Sequence, residues 1–482
     1  MPSPVPARGS PAAAEAASPT SAAGSPASDP AALRGRSIGA RLAAMTPGGR
    51  ARVPVAWALY DFANTIFSAA IVSTAMGLWL TAPERLGNDT GQLVYSIAVA
   101  VSVGLNALVS PVLGALSDRA GRRLPFLLFF TILTIVPTAL IGPSPALVGA
   151  LLFAVANFGY QAALIYYDAT LSAVSFPSTR GTLSGIGVGV GYLGTIFVAL
   201  ILILLGTEQS EPIFLISAVL FAIFAAPIFL IVRETPRPGA AKITWREVTS
   251  SLGQLLVTID DARRIPGLLR FLVGRFFYSD AVNTLIVVMS VIAVRAMGFS
   301  QTQFLMILLM LTIVAIGMSF AWGALVDRFG PKQTLMAVLA SWVVGLVLGV
   351  VSLGMAGTLV GNVLFLVAGA ILGSGLGGVQ VADRVFMIRL SPRAQLGEFF
   401  GLYGLVGKGS QVVGQILYGL IVFLFFSSLG NGAYQLAVAS LVVTMLIGVW
   451  LIWPVGDGWR GRAVERAATD DAVGEVAAVQ SV

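Results

Sequence analysis

An all-α polytopic membrane protein, with twelve transmembrane helices in two parallel-repeat halves of six, is the fold class this sequence predicts. Three observations predict it. Charged residues make up 11% of 482 residues and hydrophobic residues 57%, whereas a soluble domain carries about 25% charge. Twelve mainly apolar stretches, each close to the roughly 20 residues that cross a bilayer core, fit between Pro54 and Trp453. Three short patterns then recur between the two halves of the chain at a nearly constant offset.

In chain order, residues 1–53 form a Pro/Ala/Ser-rich segment with little to bury, read as a disordered cytoplasmic tail. It lacks the continuous apolar core of a signal peptide. Apolar spans follow at about 55–80, 91–116, 124–144, 147–173, 183–205 and 211–232, and make an N-terminal half over 54–232. The polar segment 233–267 is the natural middle of the chain, a cytoplasmic linker. Spans at about 268–294, 301–326, 333–355, 360–383, 399–428 and 432–453 make the C-terminal half, 268–453. Residues 454–482 are polar again and read as a second cytoplasmic tail. A mean hydropathy of +0.89 over the whole chain is too high for one buried core. It fits a chain whose apolar side chains face outward into lipid as well as inward.

Charge placement orients the bundle. With the N-terminus inside, the inside loops hold Arg119, Arg122, Arg123, Arg180, Arg233, Arg237, Lys242, Arg246, Arg263, Arg264, Arg328, Lys332, Arg389 and Arg393. The outside loops hold Arg85 and Arg295. This is the positive-inside asymmetry, with both termini in the cytoplasm. It accounts for most of the net charge of +7 without a nucleic-acid partner, and a minor share is available to anionic lipid. The chain has no Cys and no His, which excludes disulfides, Cys/His metal centres, Cys/His catalysis and histidine proton relays. No cofactor or metal is expected.

The recurring patterns argue for two similarly folded halves. Asp61, Asn64 and Thr65 in the first span return as Asp280, Asn283 and Thr284 in the seventh, 219 residues later. Gly114, Asp118, Arg119, Gly121, Arg122 and Arg123 return, at an offset of 209, as Gly323, Asp327, Arg328, Gly330, Pro331 and Lys332. Asp168 and Pro177 return as Asp383 and Pro392 at an offset of 215. Parallel halves relate by an axis along the membrane normal and enclose a cavity that opens to either side. The second pattern reads as a latch. Asp118 is expected to accept hydrogen bonds from a helix N-terminus and to pair with Arg122, while Gly114 lets another helix approach closely. With Pro331-Lys332 in place of two Arg, the Asp327–Arg328 copy is expected to be weaker or differently paired. The plain alternative is a short basic loop.

Polar groups inside spans are costly in lipid, so their faces are expected to point at the cavity. Asp61 and Asn64 share one face, Asp280 and Asn283 another, and Asn157 and Gln161 a third. Lys408 is the one Lys inside a span, with Gln411 a turn away. A cation there needs an internal Asp, a solute carboxylate or water. These eight residues are the candidate solute or coupling path. Asp61 or Asp280 is a candidate proton carrier, with a uniporter the alternative. Asp168, with Arg180 near in sequence, and Asp383 read as gate or structural charges. Arg275 reads as a partner of Asp280 or an inner gate. The small-residue stripe Ser184, Gly187, Gly191 and Gly194 reads as close helix packing, because no P-loop Lys-Ser/Thr follows it.

These residues resemble a known family. The six-plus-six plan with the Gly114–Arg123 pattern resembles the major facilitator superfamily over about 54–453. More narrowly, "WALYDFANTIF" at 57–67, "YYDATLSAVS" at 166–175, "SGIGVGVGYLG" at 184–194 and "GKGSQVVGQILYG" at 407–419 look like the UMF1 group, the bacterial set similar to the vacuolar effluxer-like proteins of fungi. Departures are "SFPSTR" at 175–180 and Gln415, where the group often carries Pro. The resemblance implies alternating access by a secondary transporter in a bacterial cytoplasmic membrane. Its cargo would be a small polar solute, an amino acid or similar zwitterion, or alternatively a sugar. No enzyme activity is implied, the partners are solute, lipid and, in a coupled cycle, protons, and a monomer suffices. A lipid scramblase, receptor or scaffold is the alternative from another class.

Overall fold

In the computed structural model the described residues are 37–205, 210–234 and 254–456. Among them, twelve helices are long and apolar enough to cross a membrane. In order they are Arg52–Thr81, Leu93–Arg119, Leu124–Ile141, Ala146–Val174, Arg180–Ile201 and Glu211–Ile231, then Leu268–Ala296, Met306–Phe329, Pro331–Gly354, Leu359–Leu390, Arg393–Leu429 and Gly432–Ile452. They are called the first to twelfth spans below. The lipid-facing side is legible along the second span, where Leu93, Ile97, Val101, Leu105 and Leu108 are all exposed. Their spacing of three or four residues is one helical face. The chain is therefore an integral, all-helical membrane protein.

Two spans run beyond their expected ends. Hydropathy predicts that the tenth ends near Asp383, yet the helix continues to Leu390, with Asp383 and Arg384 both buried. Their charges are met by side chains from other spans, so the helix does not need to reach water there. The α-helix of the eleventh starts at Leu396, ahead of the expected 399, and buries Glu398.

The expected tail 1–53 falls outside the described residues up to 36. Residues 37–53 have structure of their own. Ile38–Ala43 is a short helix capped by Ser37. The carbonyl of Met45 accepts from Phe176 N (3.2 Å) and Thr179 Oγ1 (2.9 Å), which ties this segment to the turn between the fourth and fifth spans. Within the linker 233–267, residues 235–253 lie outside the described set, including Arg237, Lys242 and Arg246. The rest contains a helix, Gln254–Arg264. The tail from 457 on also lies outside.

The halves meet along two crossings. The second span packs on the eleventh, and the fifth on the eighth. Both crossings are made by glycines. A methyl group at Gly114 would overlap the carbonyl oxygen of Gly397, and one at Gly323 would stand 2.7 Å from the carbonyl oxygen of Gly181. Backbone-to-backbone contact at this range is what small residues permit, and dispersion then holds the helices together without any hydrophobic drive. The stripe on the fifth span also packs as expected within its own half. Gly187 faces Trp57, while Gly191 and Gly194 face Thr65.

The first and seventh spans each contain a π-helical stretch, Phe67–Ala75 and Ile292–Ala296. In the first, Ser73 and Thr74 donate to carbonyls five residues back, at 2.9 Å each. Those bonds suit the wider π turn.

Candidate functional site

The end of the bundle marked by the basic loops is closed by two related ties between the halves. At the end of the second span, Asp118 Oδ2 accepts from Glu398 N (2.9 Å), the first turn of the eleventh. At the end of the eighth, Asp327 accepts from Gly181 N (2.7 Å) and Thr182 N (2.6 Å), the first turn of the fifth. Each carboxylate thus serves orphan N–H groups and the positive end of a helix dipole in the opposite half. The second tie is differently paired, in that both oxygens bind backbone.

The expected pairing of Asp118 with Arg122 is corrected. Arg122 is exposed, and Arg123 reaches Asp118 Oδ1 at 3.2 Å. The chain reverses at Gly121, whose φ is +64°. That turn sends Arg122 outward and folds Arg123 back, where it also donates to Ala169 O (3.3 Å). Glu234, beyond the sixth span, accepts from Arg123 N (2.6 Å) and Leu124 N (2.8 Å) and caps the third span. Arg328 lies exposed over the Phe329 ring, and Arg119 is exposed at the same end. Asp327→Ala is expected to lower stability by about 1–2 kcal/mol, the cost of a lost helix cap. Thermal unfolding of the purified protein reads this, and an unshifted transition would show that the tie contributes nothing.

Deeper in the bundle lies a charged cluster drawn from both halves. Arg384 Nε meets Asp168 Oδ1 at 3.0 Å, and Arg275 Nε meets Asp383 Oδ2 at 3.1 Å. Two expected pairings are corrected here. Asp168 is met by Arg384 of the other half, while Arg180 donates to Ser175 Oγ (3.4 Å) beside the fifth span's start. Arg275 is met by Asp383, not by Asp280. Aromatic rings frame the guanidinium groups. Arg275 lies 3.5 Å from the Tyr403 ring centre, and Arg384 lies 5.6 Å from those of both Trp57 and Tyr167. Trp57 and Tyr167 stack on each other at 4.6 Å. Asp61, half-buried, stands against Gly187 and Gly191 of the fifth span and near Arg384 and Tyr167. A cavity of about 130 Å³ opens here, bordered by Arg275, Asn283, Gln380, Asp383, Arg384 and Tyr403. Gln380 also bridges the halves, donating to Tyr192 Oη at 3.1 Å.

A second polar group runs along the second, fourth and eleventh spans. Lys408 Nζ donates to Asn106 Oδ1 of the opposite half. Asn106 also receives Ser110 Oγ (3.0 Å) and donates to Phe158 O (3.3 Å). One turn before Asn106 on the second span, Ser102 Oγ accepts from Asn157 Nδ2 (2.7 Å), and Asn157 Oδ1 is left unbonded. Gln161 and Gln411 are half-buried. Asn283 donates weakly to Gly407 O (3.5 Å). Asn64 is buried, and neither side-chain atom is bonded.

Not all the polar residues converge. Asp280 is 3% exposed and turns away from the cavity toward Gly414 of the eleventh span. Asn106, Arg384 as a partner of Asp168, Tyr403 and Gly397 escape a reading of the sequence. The glycines 397, 401, 404, 407 and 414 were a signal for the eleventh span, since three- and four-residue spacing marks one helix face. Among the described residues no group of His, Cys, Asp or Glu is arranged to hold a metal ion.

Residues 173–462, more than half of the chain, match the family described as vacuole effluxer Atg22 like. An uncharacterized MFS-type transporter of Bacillus subtilis, YxiO, is 27% identical over 416 residues, covering 82% of this chain and 93% of that protein. Autophagy-related protein 22-1 of Aspergillus niger is 27% identical over 262 residues, covering 50% of this chain and 42% of the fungal protein. Among solved structures, FucP, a major facilitator transporter in an outward conformation, superposes with a TM-score of 0.65. It is 14% identical, over 84% of this chain and 98% of that one.

Proposed function

Because the chain belongs to the Atg22-like vacuole effluxer family and has the major facilitator fold of alternating-access transporters, we propose that it carries a small zwitterion, an amino acid or close analogue, whose carboxylate docks at Lys408. The observation that carries this is the partner Lys408 has. Arg123, Arg275 and Arg384 each meet a carboxylate, whereas Lys408 meets a neutral amide oxygen, and no carboxylate is within ion-pair distance of it among the described residues. A cation in a lipid-surrounded bundle is stabilised far more by an anion than by an amide. A solute carboxylate displacing Asn106 supplies that anion. Charge at the other end of the solute is supported by the cluster around Arg384. There Asp61 and Asp168 face one guanidinium, which leaves a carboxylate free to receive an ammonium group.

The movement follows from the two crossings. With the basic end tied by Asp118 and Asp327, this reading has solute reach the cavity from the opposite end. Releasing both ties and rocking the halves about the glycine contacts opens the basic end instead. The basic loops support a cytoplasmic position for that end under this reading. No cofactor enters, and one copy of the chain suffices.

The test is uptake by purified protein in liposomes from a mixed pool of labelled amino acids and sugars, with Lys408→Met alongside. An amino acid is expected to enter, and Lys408→Met to weaken its apparent affinity by about 10- to 100-fold, the worth of a charged hydrogen bond. Uptake of a sugar alone, or equal amino-acid uptake by both proteins, would overturn the reading.

A further inference from the structure

The two Asp-x-x-Asn-Thr stretches sit in related places but in different chemical surroundings. Each sets its Asp and Thr against a glycine four spans later, on the fifth span of its own half. Asp61 and Thr65 face Gly191, and Asp280 and Thr284 face Gly414. Asp61 has Arg384 and the Tyr167 hydroxyl beside it. Among the described residues, Asp280 has no cation beside it. Gly414 faces it from the eleventh span and the Thr444 hydroxyl from the twelfth. Thr284 faces it from its own helix, four residues on. Arg275, on the same helix, is bound to Asp383, and Lys408, on the eleventh span, to Asn106. Tyr418, a turn beyond Gly414, is buried with its hydroxyl unbonded. Asp280 Oδ1 and Thr284 Oγ1 are both fully enclosed, and neither has a hydrogen-bond partner.

We propose that Asp280, enclosed by Thr284, Gly414 and Thr444 and set apart from the solute cavity, is a proton-binding site that couples the solute cycle to the proton gradient. The inference rests on the transport reading above and adds the coupling ion and its place. Three features support a proton over a metal cation. The carboxylate is enclosed and has no cationic partner, so it carries its charge only at a large cost in solvation, which a bound proton removes. The side-chain oxygens gathered here, two of Asp280 and one each of Thr284 and Thr444, are fewer than the six to eight oxygens of a calcium-like cation shell. A methyl group at Gly414 would overlap Asp280 Oδ1 and Thr284 Oγ1, so the eleventh span lies directly on them. The eleventh span is also the span that Asp118 ties and that carries Lys408. A change of charge under Gly414 therefore acts on the same rigid helix that binds solute and locks the basic end. That helix is the physical link between proton and solute.

Two measurements on purified full-length protein test this. The first needs no solute. Infrared difference spectra between acid and alkaline pH are expected to contain a protonated-carboxyl band that disappears in Asp280→Asn and persists in Asp61→Asn. The same band in wild type and Asp280→Asn would overturn the proposal. The second is solute accumulation in liposomes under an imposed pH gradient, with a sodium gradient as the comparison. Wild type is expected to accumulate solute with the pH gradient, and Asp280→Asn to reach no more than equal concentrations on both sides while still exchanging labelled for unlabelled solute. Accumulation by Asp280→Asn equal to wild type, or accumulation driven by sodium, would overturn it. Absence of exchange in wild type sinks the transport reading instead, and leaves the infrared result to decide whether Asp280 binds a proton.

Discussion

Gly114→Val is expected to prevent closure of the basic end and to reduce transport at least about tenfold, the effect of a shift of roughly 1.4 kcal/mol against one conformation. The Val side chain has no room, because even a methyl group at this position overlaps the Gly397 carbonyl oxygen. That obstacle is backbone, so no side-chain rotation relieves it. The second and eleventh spans must separate, and the bond from Glu398 N to Asp118 lengthens beyond use. The open conformation at the basic end does not need this contact, so the substitution biases the equilibrium rather than only weakening the fold. The lack of native Cys makes a direct readout available. A single Asn283→Cys borders the cavity. Its labelling by an impermeant maleimide from the basic end is expected to be slow alone and at least about tenfold faster with Gly114→Val added. Equal labelling with normal transport would mean that this crossing does not govern closure. Unchanged thermal stability of the labelled pair separates a conformational shift from misfolding.

Arg384→Ala is expected to have the largest effect on stability, a loss of about 3–5 kcal/mol, because it leaves a buried carboxylate without its cation. Asp168 loses its ion-pair partner among the described residues, and Asp61 loses the Arg384 charge beside it. Adding Asp168→Asn removes the stranded charge and is expected to recover a large part of the loss, so the two substitutions will be strongly non-additive. Arg384→Lys is expected to recover little. Arg384 lies over two stacked rings, Trp57 and Tyr167, and a planar guanidinium uses that setting while an ammonium does not. Thermal unfolding of the four proteins in one detergent measures the cycle. Additive losses, or an Arg384→Ala protein as stable as wild type, would remove the ion pair from the account of how the halves hold together.

The latch and the cluster differ in how far the sequence reveals them. Asp118 and Asp327 are found from the chain because their ten-residue pattern recurs, and a repeated carboxylate beside a short basic turn has few physical uses. The Arg that meets Asp118 is not found the same way. Helical spacing favours Arg122, and the positive φ of Gly121 puts Arg123 there instead. Asp168 and Arg384 are both visible as charges near span ends, but their sequence neighbours mislead. Arg180 is close to Asp168 along the chain, and Arg384 is close in space. Lys408 is conspicuous as a Lys inside an apolar run, while its contact Asn106 is an ordinary amide in the opposite half. Asp280 is legible as a polar group in a span, but the direction it faces depends on Gly414.

The amino-acid sequence by itself determined the solvent, the span count, the repeat and the two helix-end ties. Lipid demands long apolar helices with few charges, and both hydropathy and repetition are properties of the chain read in order. Only the tertiary structure decided which charge meets which, which face of each span borders the cavity, and why Asp280 stands apart from it. Ion pairs and close crossings join residues from opposite halves or distant spans, and their partners are selected by helix rotation and packing, which local sequence does not encode.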